Sequence, residues 1–208
     1  MRIHAVGCAI LVVAGLGACY PEEINGLVDL PSVITLVDSQ QPLRIARTFA
    51  MPDTVIHSLR RQGTGVIGHE GDAQVLARIR ANFRVMGWRE ITDLNAERPD
   101  VAVLALLFEQ TNTGVAYAGW WGDWGYWPGF AGYGPDWAWG YPTTVTFNFE
   151  SGTLGIVMLD LRGGDPNFKT LPLLWVAGVE GAVVTTTIGD LLNGIDQAFA
   201  QSPYLERQ

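Results

Sequence analysis

The chain has 208 residues with 13 Lys plus Arg against 21 Asp plus Glu, a formal charge of −8, and 48% hydrophobic residues. That is enough for one ordinary domain with a sizeable core. An acidic chain with a single lysine (Lys169) and no basic cluster excludes a nucleic-acid binder held by phosphate contacts, and also attachment to an anionic membrane by charge alone.

The N-terminus reads as an export signal. Arg2 gives a positive start and Ala5 to Leu16 is almost free of polar side chains. An apolar run of this length falls short of the roughly 20 residues a membrane span needs, so it fits a signal peptide over residues 1–18. Leu16-Gly17-Ala18-Cys19 resembles the lipobox of bacterial lipoproteins, whose small residues admit a peptidase just before the cysteine. The chain has 2 cysteines, Cys8 and Cys19, and Cys8 lies within the segment that would be removed. An exported chain with one thiol, at its first residue, has no internal disulfide to form, whereas diacyl attachment would use that thiol. The expectation is lipidation of Cys19, a tether over 19–31, and a single domain over 32–204. Tyr20 is not the aspartate that retains some lipoproteins at the inner membrane, so the anchor is expected in the outer membrane, with the domain facing the periplasm.

Val33 to Val37 is β-branched and apolar and predicts a strand; Ile45 to Met51 predicts a second, ended by Pro52. Arg60 to Gly71 reads as a loop, and Asp72 as the N-cap of a helix. Val75, Leu76, Ile79, Phe83 and Met86 fall in one sector of that helix, Gly87 sits at its C′ position, and Arg78, Arg80 and Arg84 form a solvated face. Val101 to Phe108 is apolar without alternation, as a central strand covered on both faces must be. Phe147 and Phe149 belong to an alternating strand, Gly152 to a tight turn, and Thr153–Leu161 and Leu173–Val179 to two further strands. Ile188, Leu191, Leu192, Ile195 and Phe199 share the face of a closing helix ended by Pro203. The order predicts an α+β domain: a mainly antiparallel or mixed sheet with two packed helices.

Between these strands, residues 117–141 carry half of the chain's aromatic side chains, interleaved with glycine. Glycine denies the segment a regular helix or strand, while each ring has up to about 150–250 Å² to bury. The rings must pack on something. A self-packed excursion between two strands is one reading; stacking on sugars, contact with a membrane interface and contact with another protein are the others. Trp120, Trp121, Trp124, Trp127, Trp137 and Trp139 are the candidate contact surface.

Gly152 to Asp160, followed by Leu173-Leu174-Trp175-Val176-Ala177-Gly178, resembles a bacterial lipoprotein family catalogued as domain of unknown function 4136. In that family a strand ending in Asp precedes an apolar-Trp-x-x-Gly strand. Asp100 with Val101 to Leu104 is similar to its earlier Asp-plus-apolar strand, and the Gly/Tyr/Trp-rich insertion and closing helix match in order over roughly residues 72–204. The resemblance implies an envelope lipoprotein with an α+β domain and brings no catalytic residues.

No catalytic pattern stands out. His69-Glu70-x-Asp72 lacks helical metal-ligand spacing, no Gly-x-Ser-x-Gly elbow occurs, and Gly163-Gly164-Asp165-Pro166 is a turn rather than a phosphate cradle. Asp160 is expected to bond turn amides and Trp175 to lie in the core. The expected function is a non-catalytic envelope protein that binds or scaffolds, its partners being the membrane through Cys19 and an envelope protein or glycan, with no metal or cofactor. The alternative is an envelope hydrolase using carboxylates such as Asp160 and Asp165 on glycan or peptide.

Overall fold

The computed structural model describes residues 32–37, 43–57, 71–108, 112–114, 138–140, 147–149, 152–164, 170–180 and 187–207. Its strands are β1 (Val33–Val37), β2 (Thr48–Ala50), β3 (Ile56–His57), β4 (Arg89–Glu90), β5 (Val101–Phe108), β6 (Asn112–Gly114), β7 (Ala138–Gly140), β8 (Phe147–Phe149), β9 (Thr153–Asp160) and β10 (Thr170–Val179). The helices are α1 (Asp72–Val85) and α2 (Ile188–Ala200). The fold is α+β. Six strands run in the order β1-β10-β9-β5-β2-β4; β3 lies beside β5 as the seventh, and β7 adds a short eighth against the start of β10.

The sheet is mixed. Its long strands β10, β9 and β5 are antiparallel, but β2 and β3 run parallel to β5, and β4 runs parallel to β2. Helix α1 therefore lies in a crossover between parallel strands, within the mainly antiparallel or mixed sheet that the sequence order predicts. The second predicted strand is also shorter. Leu43–Ile45 is a turn of 3-10 helix, and only Thr48–Ala50 reaches the ladder before Pro52, which has no N–H to donate. The chain rejoins the same side of β5 at Ile56 and His57.

The unbroken apolar run of β5 is explained by its two buried faces. Val101, Val103, Ala105 and Leu107 join Leu154, Ile156 and Met158 of β9 in the core that both helices cover. Ala102, Leu104, Leu106, Val157 and Leu159 point the other way and are buried as well. Each large side chain of this kind stabilises the fold by about 1.5–3 kcal/mol relative to exposure.

Helix α1 brings Val75, Leu76, Ile79 and Phe83 to the core, and α2 brings Ile195, Ala198 and Phe199. Phe83 is the hub. Its ring centroid lies 4.9 Å from Phe49, 4.9 Å from Phe199, 5.7 Å from Trp88 and 6.3 Å from Trp175. These edge and offset geometries are the ones aromatic quadrupoles prefer. Gly87 adopts φ +83° after the helix, so Gly87 N–H bonds Arg84 O at 3.0 Å and Trp88 N–H bonds Phe83 O at 2.9 Å. Helix α2 starts with a reciprocal cap: Thr187 Oγ1 accepts from Asp190 N–H, and the Asp190 carboxylate accepts from Thr187 N–H.

The predicted arginine face is solvated at Arg84 and half-exposed at Arg78, while Arg80 is largely covered, and all three also form ion pairs. Arg80 donates to Glu90 at 2.8 Å and Asp53 at 2.5 Å, Arg84 also pairs with Glu90, and Arg78 reaches Asp196 of α2 at 2.9 Å. Helical spacing places side chains around an axis but does not show what stands opposite them.

Candidate functional site

Two antiparallel ladders flank the aromatic segment in the chain. β5 pairs with β9 from Val101↔Asp160 to Phe108↔Thr153, and β6 pairs with β8 from Asn112↔Phe149 to Gly114↔Phe147. Both ladders keep one register, and β6 and β8 form a two-stranded sheet of their own. Residues 117–141 thus fall between two paired neighbouring strands, as the sequence suggests. A strand does form inside the segment, where its glycines predict none: β7 pairs in parallel with Thr170–Pro172 of β10, which supplies the ladder, with Trp139 opposite Leu171.

Gly140 pairs with Pro172, and Leu173 with Leu159, so β7 lies at the Asp160 end of the sheet. Of the candidate contact residues, only Trp139 falls within a described strand, through its backbone; Trp120, Trp121, Trp124, Trp127 and Trp137 lie outside the described residues, as does Cys19 with the leader and tether.

That same end of the sheet holds the best-organised polar groups. Asp100 precedes β5, and its Oδ2 accepts from Arg47 N–H at 2.7 Å, Thr48 N–H at 3.0 Å and Thr48 Oγ1–H at 3.0 Å. In return Asp100 N–H donates to Thr48 Oγ1 at 2.9 Å. Burial pushes the Asp100 carboxyl up, but these donors and the Arg162 charge outweigh it and hold it below the usual range. Asp160 is buried at the end of β9; its Oδ1 accepts from Arg162 N–H and Nε–H, each at 2.9 Å. Its expected role in bonding a turn amide is what the geometry shows. Asp165, its suggested catalytic companion, lies outside the described residues.

A second polar pair was not legible in the sequence. His57 Nε2 stands 3.2 Å from Asp72 Oδ2, bringing together residues 15 apart. Gly71 takes the N-cap position and Asp72 is the first helical residue, so its carboxylate faces His57 rather than capping the helix. At that position it still favours the positive end of the helix dipole. His69 and Glu70 lie outside the described residues. Among the described residues no group of three or more His, Cys, Asp or Glu is placed to hold a metal ion. No helix among them is long and apolar enough to cross a membrane. Trp175 lies in the core as expected, its Nε1–H donating to Ser202 Oγ at 3.0 Å.

Comparison with known proteins agrees with this fold. A crystal structure of a DUF4136 family protein from Bacteroides thetaiotaomicron superposes with a TM-score of 0.63 at 25% identity, over 86% of this chain and 100% of that one. A PelC dodecamer from Paraburkholderia phytofirmans matches more weakly, with a TM-score of 0.40 at 10% identity over 86% of this chain and 100% of that one. Among curated proteins, none matches the sequence. The family described as "Domain of unknown function (DUF4136)" matches residues 33–204, which takes in every described helix and strand from β1 to α2, and the chain belongs to that family.

Proposed function

We propose that this chain is a lipid-anchored protein of the bacterial cell envelope, and that its domain binds or scaffolds an envelope partner without catalysing a reaction. The observation that supports the reading is the pair of ladders, β5 with β9 and β6 with β8, which keep one register on either side of the chain segment that contains Trp120, Trp121, Trp124, Trp127, Trp137 and Trp139. Rigid elements supporting a ring-rich connection suit recognition of a flat sugar face or an apolar protein surface.

Several features favour this reading over a carboxylate hydrolase. Asp100 and Asp160, the two carboxylates at the sheet end, are engaged by backbone amides and by Thr48 and Arg162. A general acid needs its carboxyl held protonated near neutral pH, whereas the Asp100 carboxyl is held low. The anchor rests on Leu16-Gly17-Ala18-Cys19. Mass spectrometry of the membrane-extracted protein tests it: a chain beginning at diacylated Cys19 is expected, and an intact Met1 or a soluble unacylated form would remove the anchor from the account.

A further inference from the structure

The two edges of the sheet differ. β4 ends one side with Arg89 and Glu90, both ion-paired, to Glu97 and to Arg80 and Arg84. Such charges protect a strand edge from pairing with another chain. β1 ends the other side with Val33-Ile34-Thr35-Leu36-Val37, which has no charge and no proline, and among the described residues its one sheet neighbour is β10. Ile34 is 49% exposed, Leu36 39% and Val37 37%, although they are large apolar side chains in a regular strand. An edge of this composition left open is a template for another strand.

The hydrogen-bond phase fixes which groups the edge offers. Glu180 N–H donates to Ser32 O at 2.9 Å, so Ser32 turns its backbone groups inward to β10. By the alternation of an antiparallel ladder Ile34 and Leu36 do the same, and Val33, Thr35 and Val37 turn their N–H and C=O groups outward. The sequence about Thr35 is an apolar palindrome. An antiparallel partner strand of identical sequence, centred on Thr35, places Val33 opposite Val37, Thr35 opposite Thr35, and Ile34 opposite Leu36. The outward-facing residues then meet one another as hydrogen-bonded pairs, and Ile34 and Leu36 meet as the closer non-hydrogen-bonded pairs. Apolar, β-branched and Thr–Thr pairs are among those that stabilise such ladders. No like charges oppose.

We infer that β1 is a self-association edge, at which two copies of this chain join their sheets through antiparallel β1–β1 pairing across a two-fold axis at Thr35. The axis stands perpendicular to the sheet, so the helical faces of both copies lie on the same side. This inference is independent of the aromatic segment and of what that segment contacts.

Thr35→Cys in the full-length, membrane-inserted chain tests it with a short bismaleimide, because the two Cβ atoms would lie about 4.5–5.5 Å apart. The expected result is a cross-linked dimer of this chain. Adding Ile34→Lys and Leu36→Lys should cut its yield at least tenfold while the melting temperature stays within a few degrees. Val85→Cys, on the exposed end of α1, should give no dimer. A Thr35→Cys thiol that reacts with a monofunctional maleimide yet yields no dimer would overturn the inference, as would cross-linking only to a different protein or equal dimer yield from Val85→Cys. If Thr35→Cys does not accumulate, Ile34→Cys with Leu36→Cys makes the same test, since those two positions oppose each other across the axis.

Discussion

Trp175 donates its indole N–H to Ser202 Oγ at 3.0 Å inside the core, which fastens the segment after α2 to strand β10. Ser202 Oγ also lies 3.1 Å from Tyr204 Oη, and Trp88 Nε1–H donates to Leu205 O at 2.7 Å. The indoles of Trp88 and Trp175 are thus both satisfied by residues 202–205, and that segment belongs to the core. Ser202→Ala would leave the Trp175 N–H buried without its acceptor, at a cost of about 1–3 kcal/mol. Equilibrium urea unfolding should show the midpoint fall with the slope unchanged. An unchanged midpoint would mean the segment is only draped on the surface.

Phe83 should be the costliest single truncation in α1. Four aromatic rings have centroids within 6.3 Å of it and it has no solvent exposure, so Phe83→Ala is expected to lose about 3–5 kcal/mol. Val85→Ala, on the exposed side of the same helix, should shift the midpoint by less than about 0.5 kcal/mol. Chemical denaturation of the two variants compares them directly.

The C-terminal clamp on α1 depends on a backbone that only glycine adopts easily. A Cβ on Gly87 would lie 2.9 Å from Arg207 O, and φ is +83°. Gly87→Ala should therefore cost more than the ~1 kcal/mol of conformational strain alone. Arg207 itself stacks over Trp88 at 4.0 Å, while burial first, and then the charges of Arg47 and Arg162, bring its pKa down to about 10. Its Nε and Nη2 have no hydrogen-bond partner among the described residues. Arg207→Met keeps apolar cover on Trp88 and removes a poorly solvated charge, so it should melt at the same temperature or higher. A large loss from Arg207→Met would show that the charge is needed.

Asp100 predicts a pH dependence. Its folded pKa lies below the ordinary carboxylate value because donors from Arg47 and Thr48 outweigh burial. A lowered folded pKa contributes stability that is fully present above the unfolded pKa of about 3.9 and is lost as pH falls through the folded value. Asp100→Asn should destabilise the domain at pH 7 and flatten the stability profile below about pH 4. Melting temperatures measured from about pH 2.5 to 7 would show both effects, and parallel curves for the two proteins would contradict them.

How much of this was legible in the sequence depended on whether a residue's role is set by its own segment. The apolar run of β5, the periodicity of α1 and α2, and Gly87 and Gly152 at left-handed positions read correctly because local pattern dictates them. β4 has two residues and β3 has two, too few for any period to register, and they exist because β2 and β5 offer partners. The His57–Asp72 contact likewise needed β3 to be placed beside β5, and the ion pairs of Arg78 and Arg80 needed α2 and β4 opposite α1. The constant register that joins β5–β9 to β6–β8 was implicit in the flanking strands, since two strands entering and leaving one insertion tend to pair. Nothing in the residues showed that β7 would return to β10.

The most direct test of the proposed role places a photo-cross-linking amino acid at Trp124, in the aromatic segment, and separately at Val85, which is exposed on α1, in the full-length chain in living cells. Irradiation followed by mass spectrometry should give one reproducible adduct with an envelope protein or glycan from position 124 and none from position 85. If position 124 yields only cross-links within its own chain, and replacing Trp120, Trp121, Trp124 and Trp127 with serine lowers the melting temperature as far as Phe83→Ala does, the segment is a second core and the binding role is wrong.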